Sequence, residues 1–481
     1  MKKVFNNPSE LERLAKEKYA IPQFLMMENA AKALADFILD FSPDHLLILC
    51  GKGNNGGDGY ATARLLQGKC KITLLCLEEP TAEEAKVQYE ICRRLGLSIT
   101  DSLPEAQPSV ILDCIYGTGF HGTLPEKTAQ LLERVNKSKA IKIACDISSG
   151  LAFNADYTIT MGENKLALFS DKAKAVSGKI LVKEIGISQE KFEEALTLTS
   201  ASETNDPIAY LIEENDVSLP IRKNRAAHKG TYGHTAVFCG EKCGAAILSA
   251  SAAMNFGSGL TSLINIDEAK SRLSQFKISP SLMISESIPK KTTCLTAGPG
   301  FTDFSKEVAD KITEWFSNQK APAALFDAGF ITAPEFPDFL KKLNSINGAR
   351  IILTPHLSEL SRLLNNIGQD ISVASLAENP EEKIKAGRLL NSLFPATSVI
   401  MKSANTFIAS EDQCYIASNG SQNLAKGGSG DILAGMASAL LSQGYSAKDA
   451  AITAVWKHAD TASKLGSEAY NLTPEKLIDL L

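Results

Sequence analysis

Two glycine-rich loops, each feeding directly into a helix-forming segment, restrict the fold of this chain more than any other feature. The first follows the apolar run Leu46–Cys50 and reads Gly51-Lys52-Gly53-Asn54-Asn55-Gly56-Gly57-Asp58-Gly59, with a helix expected to begin near Tyr60. The second reads Lys426-Gly427-Gly428-Ser429-Gly430-Asp431 and opens onto the apolar segment Ile432–Gly444. Glycine admits positive φ and close backbone approach, while the unpaired N–H groups of a helix start attract anions.

Each loop lies within alternating strand-like and helical segments, the signature of a parallel α/β sheet. Around the first loop the apolar runs are Leu46–Cys50, Lys71–Leu77, Ser109–Gly117 and Lys142–Gly150, preceded by helical stretches, one opened by a Ser9–Glu12 capping box and one over Pro22–Phe41. The polar, acidic segment Ser200–Asp216 marks a domain edge, and the pattern restarts beyond it. Strand-like runs there end in Gly298-Pro299-Gly300, Asp327, His356 and Lys402, and a hairpin is expected over Thr406–Ser410 and Gln413–Ser418. The expected organisation is therefore two α/β domains, 1–212 and 216–481.

A formal net charge of −5 argues against a nucleic-acid or anionic-membrane surface, which would favour a basic face. The ten scattered cysteines form no C-x-x-C pair and read as buried thiols of a reducing compartment. The N-terminus lacks a secretory pattern and no apolar run is long enough to span a bilayer, so the cytoplasm is the expected location.

The Asn-Asn-Gly-Gly-Asp-Gly string exceeds what a tight turn needs, since two amides and a carboxylate suit oxygen coordination of a cation beside a phosphate. Two further strand ends offer Asp113 with Gly117-Thr118-Gly119-Phe120-His121-Gly122, and Asp146 with Ser148-Ser149-Gly150. Taken singly, either aspartate suits a cap, but ligands bind at the carboxyl ends of strands in open α/β sheets, where the three clusters would converge. In the second half, the Gly428-Ser429-Gly430-Asp431 loop suits an anion hole with an aspartate placed to take a proton from a hydroxyl attacking phosphorus. A plain helix N-cap is the alternative there, as is a structural role for His356 and a surface position for Lys402.

These motifs resemble those of the bifunctional NAD(P)H-hydrate repair enzymes. The first half matches G-x-G-N-N-G-G-D-G, D-x-x-x-G-T-G and D-x-P-S-G, with Ser148 in place of the proline. The second half matches through His228-Lys229-Gly230, Gly257-Ser258-Gly259, Ala297-Gly298-Pro299-Gly300, Thr354-Pro355-His356 with Glu359, and Gly428-Ser429-Gly430-Asp431. It departs at Asn255, Thr302, Gly329 and Ser403, which stand where arginine, glycine, an acid and glycine are usual.

The resemblance implies a Rossmann-like three-layer epimerase domain followed by a ribokinase-like dehydratase domain. Asn54, Asn55, Gly56, Gly57, Asp58, Gly117, Thr118, Gly119, Phe120, His121, Gly122 and Thr123 would contact the hydrated dinucleotide, with Asp146 as proton-transfer group at its ring. Asn55, Asp113 and Ser149 would hold potassium. In the second domain Ala245, Gly300, His356 and Asp431 would touch the hydrate, while Lys402, Ser403, Ala404, Asn405, Thr406 and Gly430 would hold ADP or ATP with magnesium. The implied partners are these small molecules and further copies of the chain, as a homo-oligomer. A hydroxymethylpyrimidine-type small-molecule kinase with a non-catalytic N-terminal ligand-binding module is the competing expectation.

Overall fold

Every residue of the strand His45–Cys50 is buried, as a continuous apolar run at the centre of a parallel sheet must be when helices cover both faces. The computed structural model describes residues 1–6, 8–197, 208–267, 272–466 and 470–481. It divides into two compact units, one spanning Lys3–Ile208 and the other containing Ala209–Leu481. Part of the polar segment read as a domain edge, residues 200–207, lies outside the described residues, as does the side chain of Ser9.

In the first unit seven parallel strands lie in the order Ser98–Thr100, Lys71–Cys76, His45–Cys50, Val110–Cys114, Ile141–Cys145, Tyr157–Met161 and Lys179–Lys183. The chain leaves His45–Cys50 toward one edge, then returns to place Val110–Cys114 on its other side. That reversal is a topological switch point, and the loops leaving the two strands splay apart there to open a crevice. The first glycine-rich loop leaves one of these strands and the Asp113–Gly117 segment belongs to the other.

The helix expected near Tyr60 begins earlier and runs Asn54–Leu66. Its first turns are the Asn-Asn-Gly-Gly-Asp string itself, because buried Gly56 and Gly57 let the helix press onto its neighbours. A Cβ at Gly56 would lie 1.9 Å from the Gly51 carbonyl oxygen, and one at Gly57 would lie 2.5 Å from the Met27 side chain. Apart from this sheet, the short strand Lys2–Phe5 pairs in parallel with Asn164–Lys165, setting Phe5 beside Lys165.

In the second unit the strand order is Met283–Ser285, Leu260–Ile264, His234–Phe238, Cys294–Ala297, Ala323–Phe326, Arg350–Leu353, Thr397–Met401, Thr406–Ser410, Gln413–Ala417 and Ala209–Leu211. The first seven are parallel, and the expected hairpin, Thr406–Ser410 with Gln413–Ala417, is antiparallel. The switch point falls between His234–Phe238 and Cys294–Ala297, at the Gly298-Pro299-Gly300 loop. Helix Ser429–Ser442, almost wholly buried, packs on the small-residue helix Cys243–Asn255. Among the described residues no helix is long and apolar enough to cross a membrane, and none of the ten cysteines is in a disulfide.

The contact between those two helices depends on Gly435, where a Cβ would sit 2.1 Å from the Ser249 carbonyl oxygen. Helix propensity alone makes Gly435→Ala stabilising by about 1 kcal/mol, whereas overpacking of a filled core costs about 1–3 kcal/mol. The clash is with backbone, so packing is expected to win. Urea denaturation of the G435A chain should show a lowered midpoint, and a raised one would refute the close-packed contact.

Candidate active sites

At the first switch point a cavity of about 520 Å³ is lined by Asn54, Asn55, Asp58, Gly117, Thr118, Gly119, Phe120 and Asp146, together with Glu12, Gln23 and Lys52. The three strand-end clusters therefore meet at one opening. Gly117 sits beside both of the other clusters, since a Cβ there would stand at ordinary contact distance, 3.5 Å from Asp146 Oδ2 and 3.7 Å from the Asn55 side chain. Gly53 and Gly119 have open space where a side chain would be, which leaves backbone accessible to a ligand. Tyr116 and Phe120 stack with ring centroids 4.3 Å apart, stiffening that wall. A larger groove of about 720 Å³, lined by Asn29, Lys32, Asp36 and Lys183 among others, contains none of the predicted residues.

Gly56 and Gly57 are buried in the helix's first turns rather than on the cavity wall, and His121, Gly122 and Thr123 are exposed and do not line it. Behind the wall Asp113 is fully buried. Its carboxylate accepts hydrogen bonds from Ser149 Oγ at 2.7 Å, Ser149 N at 2.9 Å and Ile115 N at 3.1 Å. Burial lifts the Asp113 carboxyl to about 6 against those three bonds. Ser149 also accepts the Tyr116 N–H at 2.9 Å, so this network locks the two loops together. The Asn55 amide nitrogen is buried without a hydrogen-bond partner, a polar group that costs stability unless a ligand engages it.

Asp146 adopts a left-handed backbone conformation, φ 69°, which disfavours most non-glycine residues and is found at functional sites. Its carboxylate accepts hydrogen bonds from Lys165 Nζ and, at 3.3 Å, Thr160 Oγ1. Lys165 escaped the sequence reading because it lies 19 residues away in an unremarkable segment, Asn164-Lys165-Leu166. In the fold Asn164–Lys165 pairs with the N-terminal strand, and Lys165 is buried. Burial opposes its charge, yet Asp146 and Glu163 outweigh that and hold its ammonium up at about 12.

In the second unit the ends of neighbouring parallel strands place Asp327, His356 and Lys402 together. Lys402 is no surface lysine: its ammonium pairs with Asp327 Oδ1 at 3.0 Å, and a Cβ at Gly430 would lie 3.3 Å from it. Asp431, in the first turn of helix Ser429–Ser442, is pushed up to about 7 by burial and by Asp327, with Lys402 pulling the other way. Ser429 Oγ lies 3.4 Å from Nε2 of His458, a buried imidazole that desolvation lowers to about 4. His458 carried no sequence signal, since it stands mid-helix in Ala447–Ser463.

His356 caps helix Leu357–Asn366. Its Nδ1 accepts the N–H groups of Ser358 and Glu359 at 3.2 and 3.3 Å, and Glu359 returns a carboxylate bond to the His356 N–H at 2.8 Å. The structural role is thus present, while the imidazole remains half-exposed. Ala245 and Gly300 adjoin at the switch point, a Cβ on Gly300 falling 3.4 Å from that of Ala245. Ser403 accepts a hydrogen bond from the fully buried Lys383 at 2.7 Å; Ala404 is exposed, Asn405 is buried, and Thr406 opens the hairpin.

The sequence profile described as NAD(P)H-hydrate dehydratase matches residues 235–481, and that described as YjeF-related protein N-terminus matches residues 24–167. The chain is 34% identical to the bifunctional NAD(P)H-hydrate repair enzyme Nnr of Helicobacter pylori, covering 100% of this chain and 99% of that protein. It is 28% identical to the Escherichia coli enzyme of the same name, over 95% of this chain and 88% of that one. A solved structure of the ADP/ATP-dependent NAD(P)H-hydrate dehydratase from Bacillus subtilis, co-crystallised with ATP/Mg2+, aligns at 24% identity over 56% of this chain and 95% of its own, with a TM-score of 0.46.

The buried ion pair generates one prediction and its neighbour another. Lys165→Met leaves the Asp146 carboxylate buried without its cation, a change that typically costs about 3–5 kcal/mol, and the urea midpoint of the chain should fall accordingly. Glu163 is held up at about 8, first by burial, against an ordinary value of 4.5. A carboxyl raised on folding stabilises below its ordinary value, and that contribution is lost as pH rises through the folded one. Stability should therefore decline between pH 4.5 and about 8, and Glu163→Gln should flatten the decline in a series of denaturation curves.

Proposed function

This chain belongs to the family of bifunctional NAD(P)H-hydrate repair enzymes, and from that premise we propose that its first unit interconverts the R and S epimers of hydrated NADH and NADPH. The second unit then dehydrates the S form to the dihydronicotinamide at the expense of ADP or ATP. The observation that carries this reading is the meeting of Asp146, Asp58, Asn55 and the Gly117–Phe120 loop at one cavity, with a second acid, Asp431, held near neutrality in the other unit.

In the first unit the start of helix Asn54–Leu66 and the Gly117–Phe120 loop take the phosphates and ribose of the dinucleotide, and Asp146 exchanges a proton with the ring. Asn55, Asp113 and Ser149 form an oxygen-rich set suited to potassium, with the orphaned Asn55 amide as its unsatisfied member. Reversing that amide presents its oxygen instead of its nitrogen. Potassium held there supplies a fixed positive charge beside the phosphates.

In the second unit a hydroxyl on the carbon next to the ring nitrogen is a poor leaving group, and phosphorylation corrects that. Asp431, titrating near 7, takes the hydroxyl proton as its oxygen attacks the terminal phosphorus and the bond to the departing nucleotide breaks. The ring nitrogen's electron pair then expels phosphate, and loss of the neighbouring ring proton to solvent restores the dihydronicotinamide. Ala245, Gly300 and His356 line the hydrate's path, while Lys402–Thr406 and Gly430 hold the nucleotide. Because Lys402 is committed to Asp327, its charge reaches the phosphates from below Gly430. Among the described residues no group of three or more His, Cys, Asp or Glu side chains could hold a metal, so magnesium would be bound through the nucleotide's phosphates, where it neutralises their charge.

The test supplies both hydrate epimers with ADP, ATP or neither and follows the return of dihydronicotinamide absorbance. Full recovery is expected from the native chain with a nucleotide. Asp146→Ala should leave the R form unrecovered, and Asp431→Asn should stop all recovery while epimers still interconvert, each loss being about 100- to 10,000-fold. Interconversion at the native rate in D146A would refute the first assignment.

A further inference from the structure

Four carboxyl groups, those of Glu12, Asp58, Asp146 and Glu163, crowd around the single ammonium of Lys165. Glu193 adds a further charge toward Glu163 from helix Gln189–Thr197, but its carboxylate already holds Lys3 at 3.2 Å. One cation cannot neutralise four carboxylates held this close with so little water between them, so burial and mutual repulsion favour the proton-bearing form. Burial pushes Glu12, Asp58 and Glu163 upward accordingly, with Lys165 pulling the other way on each.

These three groups differ in where they face. Glu163 does not line the cavity, and both its oxygens are buried without a hydrogen-bond partner. Asp58 lines it from the floor, with Oδ2 3.9 Å from the Cys145 thiol. Glu12 lines it from a separate element, helix Pro8–Tyr19, which is docked by Leu14 and Ala15 in the hydrophobic core. Ala15 is fully buried and lies one turn from Glu12 on the same face, so helix packing directs Glu12 to the cavity. A hydrogen bond with the Gln23 side chain steadies the carboxyl.

We propose that Glu12 is a second catalytic residue of the first unit, the proton donor that works with Asp146 on the substrate ring. The proposal rests on the reading of this unit as an epimerase and adds the partner that the chemistry requires. The inverted carbon carries both the hydroxyl and the ring nitrogen, and its inversion needs one of those bonds broken and remade. As Asp146 takes the hydroxyl proton, a carbonyl forms and the carbon–nitrogen bond breaks, its electron pair passing to nitrogen, which takes a proton from Glu12. Rotation about the adjacent carbon–carbon bond exposes the other carbonyl face. Nitrogen then attacks that face and returns its proton to Glu12, while Asp146 gives its proton to the new alkoxide. Both groups end as they began.

Glu12→Gln keeps the shape and the hydrogen bond to Gln23 but cannot cycle a proton. In the full chain, with epimer interconversion followed chromatographically without nucleotide, E12Q should lower kcat about 100-fold or more with KM changed less than threefold. The native chain should lose kcat/KM at high pH as Glu12 ionises, and E12Q should lack that limb. Glu12→Asp, which keeps an acid on a shorter arm, should recover part of the rate, and an unchanged urea midpoint shows that the unit is folded. Native rate and pH profile in E12Q, with D146A inactive, would overturn this proposal alone. Native rates in both variants would overturn the placing of the reaction at Asp146 as well, and no interconversion by the native chain would overturn the epimerase reading itself.

Discussion

A buried ammonium at the end of a parallel strand, or just beyond it, organises each unit of this protein. Lys165 holds Asp146 in the first and Lys402 holds Asp327 in the second. Charges taken out of water must be paired and hydrogen-bonded, or they are neutralised, carboxylates by gaining a proton and ammoniums by losing one, or they unfold the chain. The lysines therefore allow acidic side chains to crowd into places where carboxylates alone would repel one another. Each cluster then contains carboxyls whose affinity for protons is raised toward neutrality, the range in which a group both gives and takes a proton.

Much of this was legible in the sequence. Alternating apolar runs and helical segments gave the parallel sheets, and the loops richest in glycine and acids lie where strand order reverses or where a buried helix begins. Asp146 was found because it stands at a strand end with Ser148-Ser149-Gly150, and Asp431 because it lies within a glycine-rich loop that opens onto an apolar helix. Lys165, Glu12 and His458 were not, because their burial depends on pairings between distant segments: a two-residue parallel bridge to the N-terminal strand, and the packing of helices whose own patterns are ordinary. The start of helix Asn54–Leu66 was misplaced for a related reason. Glycine propensity predicted a loop there, and tertiary packing against Gly51 and Met27 turned the same glycines into helix.

The departures from the family pattern acquire a physical account as well. Gly329 and Thr302, separate in sequence, touch in the fold: a Cβ at Gly329 would lie 2.4 Å from the Thr302 carbonyl carbon. The backbone of Phe301 and Thr302 thus occupies the space that a side chain at 329 would need, which accounts for the glycine there. Ser403 is similarly matched, since its hydroxyl accepts the hydrogen bond of the buried Lys383 and donates to the Asn405 carbonyl at 2.7 Å. For Ser148, the hydroxyl bridges the Phe153 carbonyl at 2.7 Å and the Phe153 N–H at 3.1 Å, giving the loop by hydrogen bonding some of the stiffness proline gives by its ring.

The helix cap at His356 fixes more than a helix end. With Nδ1 committed as acceptor to two backbone N–H groups, the ring's hydrogen must reside on Nε2, which points it toward Glu359 Oε1 at 3.1 Å. The imidazole thus has one tautomer built in. A visitor that engages this imidazole must therefore bring an oxygen able to share the Nε2 hydrogen with Glu359, so the helix cap sets the terms on which one may dock.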